Sequence, residues 1–210
     1  MEIFKTAVIL AGGKSSRMGF DKQFLEINEI RLIENLVCEL KKEFEDIIIV
    51  TNKPEEYKKS SCRIVSDEIR EMGPLSGIHI GLKKSKSKYV YFIACDMPNV
   101  NLEYISLMKR EIIKSNPNAC VTKKDNKIEP FNSFYSIDVL QKIEKLILNN
   151  RRSMLALIDS IETIFIENSV MKKYNCSFDM FVNLNTKEDL QILKKEYSGG
   201  KKCLTCTVEK

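Results

Sequence analysis

No apolar run in this 210-residue chain approaches the roughly 20 residues that a bilayer-spanning helix needs. The N-terminus is acidic, and its early apolar run is short and meets a pair of glycines at once. No signal peptide is therefore evident, and a cytoplasmic protein without membrane contact is expected. His79 is the single histidine. It follows a Gly-Pro turn inside a predicted helix, a place that suits packing or solvation better than catalysis. The seven cysteines are an odd number, mostly isolated within predicted elements, which argues against a disulfide framework. Cys203-Leu-Thr-Cys206 is half a zinc site with no second pair or histidine cluster near it. It lies in a Gly- and Lys-rich tail, 198–210, expected to be flexible. Neither the Gly-x-x-x-x-Gly-Lys-Ser/Thr loop nor the Gly-x-Gly-x-x-Gly fingerprint occurs. No basic stripe interleaved with aromatics is present, so nucleic acid is not the expected partner. No internal repeat is evident.

What is present suits an ordinary globular domain over 1–197, with 43% hydrophobic and 30% charged residues. The net charge of +5 is modest and scattered, and favours an anionic small molecule. Ala7–Leu10, Ile47–Val50 and Tyr89–Ala94 are continuous apolar runs of the kind that form parallel strands buried on both faces. Weaker strands are predicted at Phe24–Ile27, Arg63–Val65, Ala119–Thr122, Asn132–Tyr135 and Ile161–Ile166. Between them, Leu32, Ile33, Leu36, Val37, Leu40 and Phe44 mark one face of a helix. A second helix opens at Gly73-Pro74, and a third is capped by Asn101 and carries Ile105, Met108, Ile112 and Ile113 on one side. Ile137–Leu148, a short helix capped by Ser153 and a last helix opened by the capping box Thr186-Lys-Glu-Asp189 complete the set. Alternating strands and helices imply an α/β fold: a Rossmann-like, doubly wound, mostly parallel sheet with helices on both faces. Ligands in such sheets sit at the strand C-terminal ends. That rule singles out the residues just after each strand.

The first of these is the loop Leu10-Ala-Gly-Gly-Lys-Ser-Ser-Arg-Met-Gly-Phe-Asp-Lys22. Gly12 and Gly13 allow a sharp turn and close approach to an anion, with Lys14, Arg17 and Lys22 as charged donors. Asp96 follows a buried strand directly and is placed either to ligate a hard cation such as Mg2+ or to cap a turn. Asp67 can accept hydrogen bonds from a nucleobase edge or a ribose hydroxyl, or serve as a turn residue. Asn52 can donate and accept at a base or sugar, or simply turn the chain.

The loop, Cys95-Asp-Met-Pro98, Gly73-Pro-Leu-Ser-Gly77 and Phe181-Val-Asn-Leu-Asn-Thr-Lys-Glu-Asp-Leu190 occur in the order seen in the molybdenum cofactor guanylyltransferases (MobA-like proteins), which this chain resembles from about Thr6 to Leu190. The resemblance implies transfer of GMP from GTP to Mo-molybdopterin, with the N-terminal half binding GTP and the C-terminal half the acceptor. It assigns Arg17, Lys22 and Asp96 to catalysis and Asp96 to Mg2+. Leu10, Ala11, Gly12, Gly13, Lys22, Asn52, Asp67, Asp96, Asn183 and Asn185 are implied as substrate-binding residues. Molybdoenzymes or other cofactor-assembly proteins are further candidate partners. Glu129-Pro-Phe131 and Arg151-Arg-Ser153 match the acceptor side, the latter reading equally as a solvated basic cap. Related cytidylyltransferases often carry Leu-Ala-Ala-Gly, so Gly12 favours guanine. A CTP-dependent or sugar-phosphate transferase of the same fold and a non-catalytic nucleotide-binding partner protein are the competing readings.

Overall fold

Thr6–Leu10, buried along its whole length, forms the central strand β1 of a seven-stranded sheet. The computed structural model describes residues 1–12, 21–27, 29–69, 72–174 and 178–198. After a 3-10 turn at Lys22–Phe24, a small hairpin of β2 (Glu26–Ile27) and β3 (Ile30–Arg31) leads into α1 (Leu32–Leu40). β4 (Asp46–Val50), β5 (Arg63–Val65), α2 (Pro74–Lys84), β6 (Tyr89–Ala94) and α3 (Leu102–Ser115) follow. β7 (Ala119–Lys124), β8 (Lys127–Ser136), α4 (Leu140–Leu148), α5 (Met154–Ile158), β9 (Thr163–Glu167), α6 (Asn168–Lys173) and α7 (Lys187–Ser198) complete the chain.

The spatial order is β5-β4-β1-β6-β8-β7-β9, and every neighbouring pair is parallel except those made by β8. The doubly wound α/β sheet is thus present, with one antiparallel strand. The period of two along each strand feeds two cores. Ala7, Ile9, Ile47, Ile49, Tyr91 and Ile93 pack with α1 and α3 on one face. Val8, Leu10, Ile48, Val50, Val90 and Phe92 pack with α2, α4 and α5 on the other. Among the described residues no helix is long and apolar enough to cross a membrane.

Several local expectations shift. Phe24 belongs to the 3-10 turn and not to a strand, because the Asp21 side chain caps that turn by accepting from the Gln23 amide. Ile113 stays 67% exposed, one position past the buried stripe of α3. Ile137–Val139 is a 3-10 turn before α4. Cys62, Cys95 and Cys120 are free thiols.

Two packing features carry measurable consequences. A Cβ at Gly81 would lie 2.6 Å from Phe92 Cε1 and 3.1 Å from Val8 Cγ1, so α2 approaches the sheet through that missing side chain. Helix propensity alone favours alanine there by about 1 kcal/mol, but overpacking costs about 1–3 kcal/mol. Gly81→Ala should lower the urea midpoint with an unchanged slope; a raised midpoint contradicts this packing. At the strand N-terminal edge, Arg63 forks onto Asp46 with Nε–Oδ1 at 2.7 Å and Nη2–Oδ2 at 2.6 Å, and the Thr6 hydroxyl donates to Oδ2 at 2.7 Å. Burial pushes the Asp46 carboxyl up, the Arg63 and Thr6 bonds outweigh it, and the net displacement is downward. This contribution to stability is complete above the unfolded value of about 3.9 and is lost as pH falls through the lower folded one. Asp46→Asn should flatten the acid limb of the stability profile. An acid limb identical to wild type would exclude the pair as its source.

Candidate functional site

The four parallel strands end in register. Leu10 lies beside both Val50 and Ala94, and Val50 beside Val65. The residues that follow therefore form a row along one edge: Asp67 after β5, Asn52 after β4, Gly12 after β1 and Asp96 after β6. At the usual strand spacing this row is about 14 Å long. Backbone bonds lock its members together. Ala11 N–H donates to Val50 O at 2.8 Å, Thr51 N–H to Val65 O at 2.9 Å, and Cys95 N–H to Leu10 O at 3.0 Å. Leu10 and Ala11 thus contribute by closing the edge, since these backbone groups are occupied by neighbouring strands.

The Asp96 end holds charge. Lys22 Nζ donates to Asp96 Oδ2 at 2.7 Å and to Asn185 Oδ1 at 2.7 Å. The ion pair is well shielded, with side chains 21% and 16% exposed. Leu184 N–H donates to Asp96 O at 2.9 Å, which ties the segment carrying Asn183 and Asn185 to the turn after β6. Asn185 and Thr186 both give their N–H to Asp189 Oδ2, at 2.9 and 2.8 Å, and Thr186 Oγ1 accepts from Asp189 N–H at 3.1 Å. These backbone bonds hold the Asp189 carboxyl below its ordinary range. The capping box expected from the sequence is present, and it also fixes Asn185. Asn183 turns its amide back to Phe181 O at 3.4 Å and does not join the Lys22 cluster.

Lys22 is held in place by its neighbours. Gln23, 5% exposed, donates from Nε2 to Asp21 Oδ2 at 2.6 Å. Its Oε1 accepts from Thr51 Oγ1 at 2.8 Å and from Tyr57 OH at 3.2 Å. Lys53 Nζ reaches Asp21 Oδ2 at 3.2 Å and lies over the Phe24 ring. The turn that presents Lys22 is thereby bonded to the end of β4. Gln23 and Thr51 escaped the sequence reading because a buried amide network has no spacing rule. The Asp-Lys-Gln order after the loop was the available signal.

At the other end of the row, Asp67 Oδ2 accepts from Ser76 Oγ at 3.0 Å, and Oδ1 is buried with no hydrogen-bond partner. Burial pushes this carboxyl up, with the Ser76 bond acting against it. Gly73 O lies 2.8 Å from the same Ser76 Oγ, so the two acceptors share its single proton. Gly73 has φ +61°, so the Gly-Pro turn needs its missing side chain. Gly12 is different: it has no positive φ, and a Cβ there would lie 3.6 Å from Asn52 Nδ2. Its value is the space it leaves beside Asn52. Gly13, Lys14 and Arg17 lie outside the described residues.

His79 is buried and pairs with Glu144 of α4 at 3.3 Å. Burial pushes the Cys95 thiol up to about 12, which makes it inert as a nucleophile. Arg152 bonds Asn150 Oδ1 at 3.0 Å, and Ser153 caps α5. Among the described residues no group of three or more His, Cys, Asp or Glu side chains gathers.

Residues 7–163 match the model of the MobA-like NTP transferase domain. A molybdenum cofactor guanylyltransferase from Syntrophotalea carbinolica is 45% identical over 196 residues, covering 93% of this chain and 93% of the relative. One from Vibrio campbellii is 31% identical over 185 residues, covering 87% and 91%. The crystal structure of molybdopterin-guanine dinucleotide biosynthesis protein A from Archaeoglobus fulgidus superposes with a TM-score of 0.79 at 24% identity, covering 92% of this chain and 99% of that one. The strand-end row and these matches agree, and the chain belongs to the MobA-like nucleotidyltransferase family.

Proposed function

We propose that this protein transfers GMP from GTP to Mo-molybdopterin, forming the guanine dinucleotide form of the cofactor and releasing pyrophosphate. The observation that carries the proposal is Lys22 bridging Asp96 and Asn185 at the end of a row that starts with an unpartnered buried carboxylate oxygen on Asp67. The row has a base-reading end and a phosphate end. Guanine presents two N–H donor groups, at N1 and N2, and Asp67 Oδ1 needs a donor. Asn52 and the open space at Gly12 border the same end.

A terminal phosphate oxygen of the acceptor attacks the α-phosphorus of GTP. The bond from that phosphorus to the bridging oxygen breaks, and pyrophosphate carries the electron pair away. The nucleophile is already an anion, so no general base is needed, in accord with the inert Cys95 and the distant His79. The protein's work is positioning and charge neutralisation. Lys22 trades its bond to Asp96 for the β- and γ-phosphates, joined by Arg17 and the amides of Gly12 and Gly13. Asn183 and Asn185 orient the acceptor side. Asp96 is the residue that would hold Mg2+, and a lone carboxylate at a strand end fits an ion that completes its shell with phosphate oxygens and water. When bound, that ion supplies neutralisation of the charge that develops on the phosphates.

Pyrophosphate release with GTP, Mo-molybdopterin and Mg2+ tests these roles. Asp96→Ala should lower kcat by about 10²–10³-fold while weakening GTP binding far less. Lys22→Ala should both raise KM for GTP and lower kcat. Turnover of Asp96→Ala equal to wild type at saturating Mg2+ removes Asp96 from the site. Gly12→Ala should lower kcat/KM for GTP more than that for CTP, because a methyl would take up part of the space beside Asn52 that the larger purine would use. Equal losses for both nucleotides would detach Gly12 from base selection.

A further inference from the structure

Outside the strand-end row, one buried polar residue touches three segments that carry the site. Asn132 is fully buried, with φ +54° in the left-handed region. It sits where β8 bulges: Cys120 pairs with Phe134 while Thr122 pairs with Glu129, so residues 130–133 face a single position of β7. Pairing of β8 with β6 stops at Ser133 and Phe92. From this bulge the Asn132 amide turns toward the end of β6. Its Oδ1 accepts from Tyr91 OH at 2.8 Å, and its Nδ2 contacts Met97 Sδ at 3.7 Å and donates to Met180 O. Met97 follows Asp96 directly. Met180 precedes the segment whose Leu184 N–H bonds Asp96 O and whose Asn185 accepts from Lys22.

We infer that Asn132 is a positioning residue that sets the separation of Asp96 and Asn185, and through it the seat of Lys22 and of a divalent cation on Asp96. The inference rests on the reading of Asp96 as the metal-holding carboxylate. Three features carry it. A left-handed backbone costs free energy that a regular strand would avoid, and such strain persists where the surroundings over-determine it. Asparagine is among the few side chains that tolerate this region. Oδ1 is anchored within the sheet on Tyr91 of β6, and Nδ2 leaves the sheet for Met97, next to Asp96, and for Met180 O, before the segment that carries Asn185. Tyr91 serves as the anchor, since burial keeps its phenol protonated and donating.

The test separates positioning from packing. Asn132→Gly keeps the left-handed backbone and removes the side-chain bonds, and Asn132→Asp keeps the shape and the Tyr91 acceptor but loses the donor to Met180 O. Either variant should lower kcat and weaken Mn2+ binding, read by electron paramagnetic resonance with GTP present, each by roughly tenfold, the usual penalty for disturbing support of a metal ligand. KM for GTP should rise less than it does in Lys22→Ala, because Asn52 and Asp67 lie on the far strands of the row. The Mn2+ measurement needs no turnover, so it stands even if wild type proves inactive with GTP and Mo-molybdopterin, a result that would overturn the reaction and not the positioning. If Asn132→Gly does not fold, Asn132→Asp carries the comparison. A folded variant with wild-type kcat and wild-type Mn2+ affinity overturns the assignment, whatever its melting temperature.

Discussion

The ammonium of Lys22, held between Asp96 and Asn185, is the contact on which the rest of the site depends. It joins residues 74 and 163 positions away in sequence, and so draws the turn at Lys22–Phe24, the end of β6 and the segment before α7 to one point. Shielding a cation and an anion from water is costly unless each is well bonded. The cost is offset by orientation of the partners before any ligand arrives. Asn185 is fixed by Asp189 and Thr186, Lys22 is presented by the Gln23 network, and Asp96 is pinned through its own carbonyl.

The sheet supplies the geometry and takes little part in the chemistry. Its parallel register brings four strand ends level, and the turns beyond them differ in what they offer: a carboxylate with an unfilled acceptor, an amide beside an open space, a glycine loop and a charged turn. The antiparallel β8 interrupts the pattern beyond β6. Its bulge lets Asn132 reach across to Met97 and Met180, where another parallel strand would only have extended the ladder.

The strands at Ala7–Leu10, Ile47–Val50 and Tyr89–Ala94 were legible because a strand buried on both faces must be apolar throughout. The placement of Asp96, Asn52, Asp67 and Gly12 along one edge was legible because residues that follow neighbouring parallel strands fall side by side. Other features depend on contacts between distant residues and leave little local trace. Phe24 looks like strand because the capping by Asp21 that makes it a turn is worth more than its propensity. Asn132 reads as an ordinary strand start, and only the tertiary structure shows a left-handed residue with a buried, fully bonded amide. Gly12 looks like a turn glycine, yet its φ is not positive and a Cβ there would meet Asn52 at an ordinary contact distance. Asn183 and Asn185 are equivalent in the motif, and only Asn185 reaches Lys22.

Pyrophosphate release measured across GTP, CTP, ATP and UTP, each with and without Mo-molybdopterin and Mg2+, addresses the central claim most directly. The account predicts release that requires GTP, the acceptor and the metal together. Release with CTP alone among the nucleotides would contradict the assignment of the base, and GTP binding without release under any condition would contradict the assignment of catalysis.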